Sequence, residues 1–334
     1  MNIAIVGATG NVGRKLLEVL ERTNFEFSEI YLIASDKSVG KKITFKNKNY
    51  SIIGLSDFDF GKVKLAFFSA GSSIAEKWAP IAAKKTIVID NSKYFRMDKE
   101  IPLVVPEVNG EALKAYKNKN IIANANCSTI QLVLALKPLH DQFKIKRVIV
   151  STYQSVSGAG KVHMNELEEQ SKLVLEKQKV NSKNFTKQIA FNVIPHIDSF
   201  MQDGSTKEEW KMTVETKKIL DPNIALTSTC VRVPVFVGHS ESVNIEFKSE
   251  INLEKIRQCL TNAPGCKVHD ERKDGGYITP IESAGDFITY ISRIREDKTQ
   301  KNSINMWIVS DNLLKGAALN AVQIATVLIK KYIN

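Results

Sequence analysis

The sequence predicts two domains of different class. The first is an α/β domain with a doubly wound, mostly parallel sheet, and the second an α+β domain on a mixed or antiparallel sheet. Three observations carry this. A glycine turn joins a short apolar run to a helical stripe at the start of the chain. Short strands then alternate with helical segments up to about residue 128. Beyond that, strand-like runs are separated by longer, irregular connections.

The opening "NIAIVGATGNVGRKLLEVLERT" reads as strand, turn and helix. Ile3 to Val6 is apolar, Gly7, Gly10 and Gly13 follow at three-residue spacing, and Leu16, Leu17 and Leu20 begin the stripe. One glycine permits the tight turn, another lets backbone approach a phosphate, and the next lets the helix pack on the sheet. The helix N-terminus offers unpaired N–H groups to an anion. This is the pattern of a Rossmann-type dinucleotide site; the plainer reading is a ligand-free glycine turn. The second strand, "EIYLIAS", runs into "SDKSVGKKI". Asp36 could meet a ribose hydroxyl. Ser35, Lys37, Ser38 and Lys41 put hydroxyls and cations in the same loop, which favours a 2′-phosphate and NADP over NAD. "KLAFFSAG" and "TIVIDNS" end in Ser69-Ala70-Gly71-Ser72 and Asn91-Ser92, with "SIAEKWAPIAAKK" as a helix between them. "LVVPEVN" and "NIIANANCS" add two strand ends, and a helix from about Thr129 to His140 follows, with Leu132, Leu136 and Leu139 on one face.

In the second domain "KRVIVSTYQ", "LTSTCVRVPVF", "ESVNIEFK", "FITYISRI" and "INMWIVS" are the strand-like runs. "HMNELEEQSKLVLEKQKV" is a charged amphipathic helix with Met164, Leu167 and Val174 on one side. The last segment, from Leu313 to about Ile333, reads as one long helix with Leu314, Ala317, Ala321, Ile324 and Leu328 as its stripe.

Bulk properties narrow the function. A chain of 334 residues suits two domains. Lys plus Arg is 47 against 36 Asp plus Glu, a net charge of +11. Such a balance can serve nucleic acid, an anionic membrane or acidic ligands. No dense basic block interleaved with aromatics occurs, so a solvated lysine-rich surface is the simpler reading and no nucleic-acid partner is expected. No apolar run approaches the roughly 20 residues of a membrane span, and no basic segment precedes the first apolar stretch. Four cysteines without a CxxC pair make neither a disulfide framework nor a zinc site. A reducing cytoplasm is the expected compartment.

One cysteine stands apart. Cys127, in "IIANANCSTIQLVLAL", follows a strand and opens a helix, a setting that lowers a thiol pKa. It is either a nucleophile or a small buried hydrophobe. Of the five histidines, His239 is the most suggestive partner. It is expected in the connection between "RVPVFVGH" and "SESVNIEF", and a satisfied structural histidine is the alternative.

Taken in order, "GATGNVG", "NSKYFRMD", "NANCST", "TYQSVSGAG", "EEWKM", "RVPVFVGHSESV" and "DNLLKGAALNAVQIA" closely resemble the aspartate-β-semialdehyde dehydrogenase family along the whole chain. Two positions depart from its usual pattern. Ala125 stands where many members have proline, which touches loop rigidity. Lys37 stands where arginine is frequent, which keeps the charge and loses the planar fork.

The resemblance implies NADPH-dependent reductive dephosphorylation of β-aspartyl phosphate to aspartate-β-semialdehyde through a cysteine thioester. By this resemblance Cys127 is the nucleophile, His239 the acid/base and Gln154 an orienting amide. Arg232 holds the substrate carboxylate, Glu208 the ammonium, and Arg96 and Lys211 the phosphate. NADP(H) is held by Gly7, Thr9, Gly10, Asn11, Val12, Ser35, Lys37, Ser38, Ser69, Ala70 and Gly71, with Ser157, Gly158 and Asn312 at the nicotinamide end. No metal is implied. The C-terminal helix is expected to return to the nucleotide domain, giving domains of 1–128 plus 312–334 and 129–311, the second catalytic and pairing two subunits into a homodimer or a tetramer. The alternatives are N-acetyl-γ-glutamyl-phosphate reductase and, in another class, a non-catalytic NADPH-binding sensor.

Overall fold

Runs too short for helices, most of them apolar, become the strands of the first unit. In the computed structural model, which describes residues 1–333, these are β1 (Ile3–Val6), β2 (Ile30–Ala34), β3 (Lys42–Phe45), β4 (Lys48–Ser51), β5 (Ile53–Gly54), β6 (Leu65–Phe68), β7 (Ile87–Asp90), β8 (Leu103–Val104) and β9 (Ile121–Asn124). Seven of them form one sheet in the order β5-β2-β1-β6-β7-β9-β8, and every pairing is parallel. Every residue of β1, β6, β7 and β9 is buried, as a parallel sheet covered on both faces requires. The basic stretch "GKKITFKNKNY" makes the separate β3–β4 hairpin, turned by Lys46 and Asn47, both at positive φ.

Two helices of this unit follow the sequence pattern. Asn11–Arg22 buries Leu16, Leu17, Val19 and Leu20, and Ser72–Ala83 buries Ala75, Ala79, Ala82 and Ala83. The C-terminal segment is not one uniform helix. Leu319–Leu328 is α-helical, flanked by wider π-type turns at Leu314–Ala318 and Ile329–Ile333. A register fault of this kind lets Gly316 press on Cys127, where an added Cβ would lie 2.9 Å from the cysteine Cβ. Within the first unit Asn320 anchors the helix. Its amide donates to Asn124 Oδ1 at 2.7 Å and to the Val104 carbonyl at 3.0 Å.

The second unit is built on a six-stranded sheet of β10 (Ile145–Gln154), β11 (Ala225–Arg232), β12 (His239–Phe247), β13 (Cys266–Val268), β14 (Thr289–Glu296) and β15 (Ser303–Ser310), ordered β11-β10-β12-β15-β14-β13. Two pairings are parallel (β10–β11 and β13–β14) and three antiparallel, so the sheet is mixed. Its inner face packs the helices Cys127–Phe143 and Leu253–Thr261 in one core. Leu132, Leu136 and Leu139 meet Val148, Val150, Val243, Ile245, Ile256, Leu260 and Ile308 there. Lys161–Leu175 lays Leu167, with Met164 and Val174, on Val156, Ile189 and Ile194. A further helix, Lys207–Ile219, escapes the sequence reading. Its apolar stripe is sparse, and a Thr206–Glu209 capping box starts it.

The units comprise Met1–Ala125 with Ala317–Asn334, and Asn126–Gly316; Asn334 lies outside the described residues. The division falls before Asn126 instead of after residue 128, and after Gly316 instead of before residue 312. Asn126 belongs to the second unit because its backbone N–H donates to Glu215 at 2.6 Å and its amide to Glu208 at 2.9 Å. Among the described residues, no helix is long and apolar enough to cross a membrane.

Candidate active site

Cys127 is the first residue of its helix, directly after the N-cap Asn126. The Asn126 Oδ1 accepts from the backbone N–H groups of Ser128 at 3.0 Å and Thr129 at 3.2 Å. A cap of this kind fixes the first turn, and the helix dipole favours negative charge there. The thiol is partly exposed, whereas Cys230 is buried with its pKa pushed up, first by burial and then by Glu208.

The strands bring the partners. Gln154 ends β10, Arg232 ends β11 in register with it, and His239 begins β12. His239 is therefore a strand residue, not part of the connection expected from sequence. The residue before it, Gly238, sits at φ +97°, and the ladder with β15 begins at His239. Its ring is buried, and its Nδ1 accepts the Ser155 backbone N–H at 3.1 Å. That bond assigns the proton of the neutral ring to Nε2, an atom with no hydrogen-bond partner. Burial first, then the nearby Arg232 charge, push the His239 pKa down to about 3. The ring is neutral at working pH and presents an N–H donor. An added Cβ on Gly158 would lie 3.1 Å from His239 Nε2 and 3.3 Å from Arg232 Nη1, so these three groups converge.

Glu208 and Lys211 form a buried ion pair one helical turn apart. Lys211 also lies 3.2 Å from Asp198. Glu208 Oε1 accepts from Asn126 at 2.9 Å and from Gln154 at 3.1 Å. Burial alone would raise the Glu208 pKa. The Lys211 charge and the hydrogen bonds from Lys211, Asn126 and Gln154 outweigh it and hold the carboxyl at about 2. Arg232 Nη1 donates to the Ser155 carbonyl at 2.7 Å. Burial lowers the Arg232 pKa, with Glu208 and then Cys127 favouring its charge. Glu208, Lys211, Gln154, Arg232, His239 and Cys127 thus share one end of the second sheet.

Asn312 and Ser157 are buried and already engaged. Asn312 Oδ1 accepts from Ser155 Oγ and Ser157 Oγ, both at 3.1 Å, and from Gly238 N at 2.9 Å. This network orients the loop that holds His239. Ser155 and Asn126 are the functional side chains that sequence reasoning passed over. The Asn-Cys-Ser-Thr order carried a capping signal for Asn126, but nothing marked Ser155.

In the first unit the glycine turn is built for close approach. Gly7 lies at φ +87°, and an added Cβ would sit 2.6 Å from the Ser69 carbonyl oxygen. Gly10 caps Asn11–Arg22 without a side-chain bond, so the helix starts directly after the glycine turn, beside exposed Thr9, with its positive dipole end at the turn. Ser69, Ala70 and Gly71 follow β6 directly, and Gly71, at φ +87°, opens onto empty space. Ser35, Lys37 and Ser38 follow β2 in a single 3-10 turn, with Lys37 exposed. This cradle fits a dinucleotide phosphate and a 2′-phosphate. Arg96, also of the first unit, is buried and donates to the carbonyls of Asn124 at 2.9 Å and Asn91 at 3.1 Å. Among the described residues, no cluster of three or more His, Cys, Asp or Glu could hold a metal.

A parallel-sheet nucleotide domain, joined to a domain carrying a thiol at a capped helix start with a buried histidine and arginine, fits the class of nucleotide-dependent oxidoreductases. Family models match both units. Residues 2–116 match "Semialdehyde dehydrogenase, NAD binding domain" and residues 136–315 "Semialdehyde dehydrogenase, dimerisation domain". The chain belongs to the semialdehyde dehydrogenase family. It is 50% identical to the aspartate-semialdehyde dehydrogenase of Rickettsia bellii, over 99% of this chain and 98% of the relative. The crystal structure of aspartate semialdehyde dehydrogenase II from Vibrio cholerae, complexed with ASA, superposes with a TM-score of 0.97 at 47% identity, covering 99% of this chain and 98% of that one. The Candida albicans enzyme, solved with NADP, gives 0.76 at 26% identity, covering 100% of this chain and 99% of that one.

Proposed function

We propose that this chain is an NADP-dependent aspartate-semialdehyde dehydrogenase, converting L-β-aspartyl phosphate to L-aspartate-β-semialdehyde in the biosynthesis of lysine, methionine and threonine. The observation that carries it is the grouping of Cys127 with Arg232, Gln154, His239 and the Glu208–Lys211 pair at one end of the second sheet. The substrate bears a carboxylate, an ammonium and a phosphate, and these residues offer a countercharge for each. The Cys127 thiolate attacks the acyl carbon, and the C–O bond to phosphate breaks with its electron pair leaving on phosphate. NADPH, held by the glycine turn and the Ser35–Lys37–Ser38 loop, would supply the hydride that reduces the thioester carbon. The oxygen of the resulting Cys127 adduct is then negative, and we assign His239 Nε2–H as the donor that stabilises it. Collapse breaks the C–S bond, releases the aldehyde and restores the thiolate.

Arg232 is the residue for the substrate carboxylate, which suits its buried fork. Glu208, held ionised, is the residue for the ammonium, a group that the acetylated glutamyl substrate lacks. Lys211 and Arg96 are assigned to phosphate. Ser35, Lys37 and Ser38 are assigned to the NADP 2′-phosphate, the glycine turn to the pyrophosphate, and Gly158 to the nicotinamide end. Asn312 and Ser157 support that end through the Ser155 network. A homodimer is part of the proposal, supported by the dimerisation-domain match.

The test is the reverse reaction: protein, L-aspartate-β-semialdehyde, phosphate and NADP⁺, with NAD⁺ in parallel, followed by absorbance of reduced cofactor. Phosphate-dependent reduction, faster with NADP⁺, is expected. No reduction by a folded protein that still binds NADPH would overturn the reading.

A further inference from the structure

The inner face of the second sheet is arranged in rows. Arg232 pairs with Gln154 and His239 with Ser310, and these pairs join into one row because Gln154 and His239 directly adjoin the paired Tyr153 and Ser240. Two residues further along each strand, the next row runs Cys230, Thr152, Glu241, Ile308 and Ile291. The row after that contains Val150, Val243 and Met306. Glu241 therefore stands where the reactive row meets the apolar core. It is 0% exposed, and neither carboxyl oxygen has a hydrogen-bond partner of good geometry. Facing it on the Cys127–Phe143 helix is Gln131, four residues after Cys127. Gln131 is 1% exposed, and both ends of its amide are equally unpartnered.

Two buried polar groups left unpaired are costly. These two are complementary. An acid O–H can donate to the amide oxygen while the amide N–H donates to the acid carbonyl. That ring exists only when the carboxyl keeps its proton. We propose that Glu241 is held as the neutral acid and closes a two-bond ring with Gln131, a positioning device that pins the Cys127 helix to the strand bearing His239.

Burial pushes the Glu241 pKa well above its ordinary value, with the Gln131 side chain opposing. The titratable groups around it supply no cation in contact. Cys230 faces it across Thr152, and His239 lies two residues along the same strand. Arg232 and Glu208 belong to the reactive site, and Cys127 lies one helical turn before Gln131. Its cross-strand partner on β15 is Ile308, and Ile291 follows in the same row on β14, neither of them charged.

The activity arm of the test rests on the reaction proposed above; the stability arm does not. Glu241→Gln keeps the two-bond ring and removes the titration. Stability of native protein and variant is compared by urea unfolding from pH 5 to 8. An acid raised in the folded state is protonated there but ionised when unfolded, so native stability falls as pH rises. Relative to the variant, the native folded-to-unfolded ratio should fall as pH rises above the ordinary carboxylate range, by up to about tenfold per pH unit while the folded acid keeps its proton. In turnover, Glu241→Leu should lower kcat about tenfold or more with little change in KM, and Glu241→Gln should recover most of that loss. Should the leucine variant fail to fold, the exchange Gln131→Glu with Glu241→Gln keeps an acid–amide ring and should restore both turnover and the pH dependence. A pH-independent stability offset, or a glutamine variant as slow as the leucine one, would overturn the proposal. The pH-dependent offset in a protein without turnover would leave the neutral acid standing and overturn the reductive reading.

Discussion

At the residue scale the site depends on opposite treatment of two buried groups. Glu208 is kept ionised by Lys211 and two amides, and His239 is kept neutral by burial and Arg232. Glu208 has a depressed pKa, so its contribution to stability is present at neutral pH. It is lost as pH falls from about 5 toward 2. Glu208→Gln should flatten acid unfolding over that window, measured by circular dichroism against the native protein. Cys127→Ala should abolish turnover while NADPH still binds, checked by fluorescence titration; substantial residual activity would sink the thioester route. His239→Ala should lower kcat roughly 10²–10⁴-fold with a smaller change in KM. A change confined to KM would remove His239 from the chemistry.

At the element scale the start of the Cys127–Phe143 helix is the critical joint. Asn126 caps it, bonds Glu208 and Glu215, and sets the direction of the first turn. Asn126→Ala should cost about 1–2 kcal/mol in urea unfolding. It should also slow turnover, because Glu208 loses a donor and Cys127 a fixed setting. Asn126→Ser, which caps but cannot reach with an amide, should recover the stability and not the rate. The β2 end is a second joint. Lys37 is the exposed cation of its turn, and Lys37→Ala should raise KM for NADP⁺ more than for NAD⁺. Equal effects on both cofactors would remove Lys37 from 2′-phosphate recognition.

At the scale of the whole molecule, two kinds of sheet serve two kinds of work. The parallel sheet sets its strand ends against glycine turns, where a dinucleotide phosphate can approach backbone. The mixed sheet lines up side chains from three strands in a row and seals them with a helix. The proposed homodimer should sediment at twice 37.3 kDa; a monomer at working concentration would contradict it.

Much of this was legible in the chain. Period-two and period-3.6 patterns gave the strands, the main helices and the break in style between the two halves. Gly7, Gly10 and Gly13 announced a close backbone approach, and Cys127 announced itself by following a strand and opening a helix. These are local signals, and local physics suffices to read them. The helix Lys207–Ile219 was not legible, because its inward face is Glu208, Lys211 and Glu215, charges that look like surface until they are paired. Ser155 and Asn312 were equally silent as a network, since small polar residues declare nothing until a fold closes around them. Sequence nominated residues for chemistry by type and neighbourhood. Only tertiary structure decided which nitrogen of His239 carries the proton, and that Glu208 stays charged while Glu241 is buried without a cation. Protonation is set by burial and by partners distant in sequence, and those exist only once the sheet and its helices are assembled.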